Sequence, residues 1–134
     1  MLKEEISGYL RDLGIVAVGS NFFLGDMPAR ALNPVAEIHE TGGRAPQETL
    51  DDGITFENPS FQISVRGDNS AEGDQQARRL IGDIWKALAN VANQSIDGVT
   101  YQNISARQSP AFIGFDDNNN RLYVANFDVA KEVS

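Results

Sequence analysis

The stretch PSFQISVRGDNSAEGDQQARRLIGDIWKALANV, Pro59 to Val91, decides the fold. Its first part alternates: Phe61, Ile63 and Val65 fall on one side, and Ser60, Gln62, Ser64 and Arg66 on the other. A period of two with one apolar side is the mark of a strand with one covered and one wet face. Gly67-Asp68-Asn69 turns the chain, and Ser70 stands where a helix needs a side-chain cap. From there the apolar spacing changes to three and four, so that Ala77, Leu80, Ile81, Ile84, Trp85, Leu88 and Val91 form one stripe, with Arg78 and Arg79 on the solvated side. Such a stripe is stable only against a sheet, where each large side chain contributes about 1.5–3 kcal/mol on burial.

Working outward, Leu2, Ile6, Tyr9, Leu10 and Leu13 predict a short helix whose solvent side carries Lys3, Glu4, Glu5 and Arg11, with Gly14 as its stop. Ile15 to Val18 and Phe22 to Leu24 read as one strand kinked at Gly19-Ser20-Asn21. Pro34 opens a strand, Val35 to Glu40, which Thr41-Gly42-Gly43 ends. Thr41 to Asn58 has little periodicity and reads as a long exposed loop. Beyond Gly98, Thr100 to Ala106 alternates as a strand, and Ala111 to Phe115 and Leu122 to Val129 flank Asp116-Asp117-Asn118-Asn119-Asn120 as a hairpin. Tyr123, Ala125, Phe127 and Val129 share a face of its second strand. The expectation is a single α+β domain over residues 1–134: a largely antiparallel sheet carrying one long and one short helix, with a long extended loop.

Composition narrows the function. A chain of 134 residues can bury one core without staples, and the absence of cysteine excludes disulfides and thiolate metal or redox centres. A net charge of −8 argues against gripping nucleic acid through its phosphates. The opening MLKEEISGYLRDLG lacks the apolar core of a secretory signal, and no stretch approaches the roughly eighteen apolar residues of a bilayer crossing, so a soluble intracellular protein with no membrane partner is expected. The triplets at Asn93 and Asn103 then match glycosylation sequons by chance.

Few residues point to chemistry. His39 is the one side chain suited to proton transfer near neutrality, and it lacks a recognisable nucleophile elbow, so it reads as a surface or strand-edge histidine. Asp116, Asn118 and Asn120 resemble the first ligands of a calcium loop, but Arg121 stands where the glycine is required and Phe127 where the bidentate glutamate belongs, which leaves a polar turn. Glu48, Asp51 and Asp52 read as a solvated acidic loop rather than a magnesium site. Glycine-rich phosphate cradles are absent. Arg66-Gly67-Asp68 matches an adhesion tripeptide, though a strand end and turn use those residues anyway. Trp85 reads as core before interface, and of the neighbours Phe22 and Phe23 only one can join a one-sided core. No catalytic residue, metal or cofactor is expected.

The order of Gly25-Asp26-Met27-Pro28, Glu40-Thr41-Gly42-Gly43, PSFQISVRG at Pro59 to Gly67, the long helix, Pro110-Ala111-Phe112-Ile113-Gly114, Asp116, Asn119, Arg121 and Asn126-Phe127 resembles the minor capsid and tail-completion proteins of long-tailed bacteriophages, the group that includes tail terminators. The chain departs at Phe115, where family members often carry arginine. The resemblance implies a non-enzymatic virion protein, assembled in the host cytoplasm, that forms a ring of six copies in the neck region. There it would stop growth of the tail tube and join it to the head connector. Its partners would be itself, the major tail tube protein and a head-completion protein, with genomic DNA passing through without specific binding. The ring contacts would come from the Thr41–Asn58 segment (Arg44, Glu48, Asp51, Asp52, Phe56) and the hairpin tip (Asp116, Asp117, Asn119, Arg121). A neck or head-completion protein is the near alternative; a small acidic ligand-binding domain, or a metal-dependent hydrolase using Asp51, Asp52 and Asp116, comes from other classes.

Overall fold

The computed structural model describes residues 1–49 and 53–133, and their side chains outside 44–49 and 53–55. In chain order the elements are α1 (Leu2–Asp12), β1 (Phe22–Phe23), β2 (Val35–Thr49), β3 (Gly53–Gly67), α2 (Ala71–Ala89), β4 (Ala92–Ile96), β5 (Val99–Ala106), β6 (Ala111–Phe115) and β7 (Arg121–Glu132). The strands form one sheet in the order β1-β2-β3-β7-β5-β4. β6 pairs with β7 beside its first residues while β5 takes its later ones. Every pairing is antiparallel except β1 with β2. The α+β architecture and both helices are as the sequence predicts.

Register explains the two faces. Ala36 and Ile38 stand beside Val65 and Ile63, which stand beside Tyr123 and Ala125, so one face is continuously apolar across three strands. Both helices cover that face: Leu2, Ile6 and Leu10 from α1, and Ala77, Leu80, Ile81, Ile84 and Leu88 from α2, are buried in a common core with Phe61, Ile63, Val65 and Phe127. Phe61 and Phe127, cross-strand partners, stack at 4.9 Å. Ser70 caps α2 by accepting from the Gly73 amide at 3.0 Å, which satisfies one of the helix's free N–H groups. Gly67 and Gly73 are required by contact, because a Cβ at Gly67 would strike Ala77 and one at Gly73 would strike the Asp68 carbonyl. Trp85 is half-buried at the core margin and donates its Nε1 hydrogen to the Gln108 carbonyl at 3.0 Å.

Four features differ from the sequence reading. The segment read as a loop from Thr41 is an antiparallel hairpin: β2 runs on to Thr49 and pairs with β3 as far as Gly53. Gly42 and Gly43 do not stop the strand; with φ of 93° and 150° they carry it through a bulge, and Gly43 lies so close to Asn58 that a Cβ would overlap its carbonyl. Only Phe22 and Phe23 of the kinked N-terminal strand pair as strand, and Val18 makes a single bridge to Phe22. β4 follows α2 within three residues, where no strand was expected, because it holds little apolar periodicity and pairs through the Asp97-Gly98 turn. Glu5 is not on the solvated side of α1: it is 3 % exposed.

The burial of Glu5 has a definite partner. Lys131 in β7, itself 0 % exposed, lies 2.7 Å from Glu5 Oε1 and 3.3 Å from Glu57 Oε1. Glu57 and Tyr101 are its cross-strand neighbours in β3 and β5, and the Tyr101 hydroxyl donates to Glu5 at 2.6 Å. The residue-1 amine donates to the other Glu5 oxygen at 3.0 Å. Burial pushes the Glu5 carboxyl up, but the hydrogen bonds from Lys131, Tyr101 and the amine outweigh it and hold Glu5 below the ordinary carboxylate range. Burial first, and then Glu5, pushes the Tyr101 hydroxyl well above the usual phenol range.

Candidate assembly surface

The face away from the helices is polar, and one end of it is strapped. Arg66 spans the strap: its Nε donates to Asn33 Oδ1 at 2.7 Å, Nη2 to the Ala31 carbonyl at 2.6 Å and Nη1 to the Pro28 carbonyl at 3.3 Å. Arg66 is thereby buried, so Arg66-Gly67-Asp68 presents no free guanidinium to an adhesion receptor. Further along the same face, Ser60 donates to Asp128 at 2.6 Å, Gln62 to Asn126 at 3.1 Å, and Arg107 to Asp128 at 2.7 Å. His39 sits here too, half-buried in β2. Its Nε2 lies 3.4 Å from Glu37 and 3.5 Å from the fully exposed Asp26, so the three groups face one another at the surface.

The hairpin tip between β6 and β7 is built by Asp116. Its Oδ1 accepts from the Asn118 amide at 2.9 Å and the Asn120 amide at 2.8 Å, and its Oδ2 from the Asn120 side chain at 3.1 Å. Desolvation raises the Asp116 pKa, but the bonds from Asn120 and Asn118, helped by the charge of Arg66, leave it below the ordinary value. This is the polar turn that the sequence suggested, with its oxygens already used by the turn. Asn119 takes the left-handed conformation at φ 63°, which asparagine tolerates, and Asp117 is exposed.

Beside that tip lies an apolar patch that sequence reasoning passed over. Phe112, Ile113 and Phe115 of β6 are 44 %, 58 % and 49 % exposed. Phe112 meets Phe115 edge to face at 5.4 Å and Tyr123 at 5.5 Å. Arg121 covers the rings of Phe112 and Phe115 at 5.8 and 5.5 Å, and Arg78 covers Tyr123 at 5.9 Å. Asp74 in α2 faces both cations, 3.1 Å from Arg78 and 3.6 Å from Arg121, and accepts a hydrogen bond from Tyr123. Arg121, expected at the tip as a contact residue, is therefore half-buried against the aromatics. The signal was available: Phe112 and Ile113 are adjacent, so in a strand one of them must point away from a one-sided core.

Of the residues expected at the other contact, Arg44 pairs with Asn58, Glu48 with Ile54, and Phe56 with Gln47 and Glu132, all by backbone register. Phe56 is half-buried, and Asp51 and Asp52 lie outside the described residues. The fold does not bring the two groups together: Phe56 stands beside Glu132 at the end of β7, whereas Arg121 begins that strand.

The profile of the bacteriophage tail terminator proteins matches residues 9–133. The chain belongs to that family. Among solved structures, it superimposes on a chain of the virion of a native gene transfer agent particle with a TM-score of 0.72, covering 98 % of this chain and 95 % of that one at 17 % identity. At that identity the likeness is one of fold. No curated protein matches in sequence. This tail terminator is a structural phage tail protein of the virion, and among its described residues no helix is long and apolar enough to cross a membrane.

Proposed function

We propose that this tail terminator acts as a single domain, residues 1–134, that assembles into a ring at the head-proximal end of the tail tube, ends tube growth and presents a surface to the head connector. The family match over nearly the whole chain is the observation that carries this reading. Its geometry is compatible: a closed ring needs two different complementary patches per subunit, and the β2–β3 hairpin and the β6–β7 tip lie at opposite ends of β7. Six copies, a neck position and assembly in the host cytoplasm complete the proposal, with the major tail tube protein and a head-completion protein as partners. Arg44, Glu48, Asp51, Asp52 and Phe56 belong to one contact region, and Asp116, Asp117, Asn119 and Arg121 to the other. A charge of −8 per copy suits a channel through which DNA moves without being held. The subunit works by fitting and turns over no substrate.

Electron microscopy tests this directly. Phage lacking the gene should make tails of uncontrolled length, or tails that fail to join heads, and the purified protein should add a cap to isolated tubes. Normal tails in the deletion phage would refute it.

A further inference from the structure

We propose that the apolar groove between α2 and β6 of one copy receives the end of the β2–β3 hairpin of the next copy, which makes this head-to-tail contact the closing contact of the ring. The inference rests on the ring reading and makes it specific. The groove, about 270 Å³, is lined by Ile81 and Arg78 from α2 with Pro110, Phe112 and Tyr123. Among the described residues, β6 pairs with β7 alone, and its sequence AFIGF contains no charge to discourage a further contact. The outer edge of β2 is interrupted more heavily, with Pro46, two glycines and three register shifts against one glycine and one shift in β6, which makes it the poorer template for strand addition. The β6 edge is thus the less protected of the two.

The occupant follows from charge and from geometry. Arg78 lines the groove and Arg121 lies over the adjoining Phe112 and Phe115 rings, both facing Asp74, so two guanidiniums stand against these aromatics in a chain whose net charge is −8. The segment Thr41 to Asn58 carries Glu48, Asp51 and Asp52 against Arg44, with Glu57 already engaged by Lys131, and its sequence includes Ile54 and Phe56 as apolar residues. A segment whose sequence is acidic and partly apolar complements aromatics covered by guanidinium. The same subunit cannot make this contact, because the hairpin leaves the sheet at Glu132 and β6 flanks the start of β7, on the order of 35 Å apart along the strand. Opposite corners meet only between copies, and a contact of unlike patches is the kind that closes rings.

The chain has no cysteine, which makes the test clean. Ile113→Cys and Glu48→Cys variants, mixed at equal concentration and mildly oxidised, should give a disulfide-linked pair containing one of each, in excess over either like pair. Rings that form normally but yield no mixed cross-link would overturn this contact while leaving the ring intact; a persistent monomer in native mass measurement would overturn both. A predominance of Ile113–Ile113 pairs would also overturn it, since it indicates a two-fold contact. Independently, Arg121→Glu should weaken self-association about tenfold or more, and Glu48→Arg added to it should recover much of the loss. Because Arg121 also supports the hairpin, Phe115→Asp serves as a second variant: its melting should stay close to that of the parent while association falls, and unchanged association would count against the groove.

Discussion

On the helix-covered face of the sheet, Lys131 is held by two carboxylates; on the opposite face, Arg66 is held by two backbone carbonyls and an amide oxygen. Both cations are buried, yet they do different work. Lys131 sits where three strands and α1 converge, so its partners come from Glu5, Glu57 and Tyr101 on separate elements. Arg66 ties only the strap of residues 28–33 onto a sheet that is already complete. Removing the charge of Lys131 should therefore act on global stability, and removing that of Arg66 on the local order of one surface segment.

The largest effect is expected from removing Lys131. Lys131→Met takes from buried Glu5 its buried cation and leaves only the exposed residue-1 amine beside it, and the expected loss is about 3 kcal/mol in denaturant unfolding. Glu5→Leu combined with Lys131→Met should recover most of it, because replacing both partners removes the uncompensated charge. A loss below about 1 kcal/mol for the single variant would mean that the network is solvated rather than buried. The same pair sets an acid limb. Since the Glu5 pKa is lowered on folding, its contribution is present above the unfolded carboxylate value of about 4.3 and is lost as pH falls through the folded value. Glu5→Gln should be less stable at neutral pH and flatter below pH 4 or so, which pH-dependent melting would show.

Arg66→Ala should cost less, about 1–3 kcal/mol, because the exposed ends of the strap recover water when it opens. Its effect should also be local. Hydrogen exchange should accelerate at residues 27–33 and leave β3 and β7 protected; acceleration throughout the sheet would make the two cations equivalent and remove the distinction.

These two sites also mark how far the sequence could be read. The alternation of Phe61, Ile63 and Val65 and the stripe on α2 have one physical solution, a sheet face under a helix, and that solution is present. The Glu5–Lys131 pair was hidden because its members lie 126 positions apart, and helical spacing places Glu5 beside charged neighbours. Arg66 was hidden for a similar reason: its partners are carbonyls of a segment without periodicity. The long hairpin was not legible because Gly42 and Gly43 normally interrupt a strand, and only their pairing with Ser60 and Pro59 shows that they bulge it. At the assembly surface, the polar turn at Asp116 was legible from its residue types, and the adjacent Phe112 and Ile113 implied one outward apolar side chain, whereas the exposure of both and of Phe115 shows only in the folded chain.

The smallest effect belongs to the polar ladder of the uncovered face. Gln62 and Asn126 face each other at 3.1 Å on adjacent strands, half-buried, with water able to replace either partner. Gln62→Ala or Asn126→Ala should therefore change stability by no more than about 0.5 kcal/mol. Ile63→Ala, the neighbour of Gln62 pointing to the other side, should cost roughly 2–5 kcal/mol because it opens a cavity under α2. Adjacent positions in one strand would then differ several-fold in cost. Equal costs, measured in the same denaturant series, would show that the polar face is covered in the isolated protein, and that the helices do not alone account for the asymmetry of the sheet.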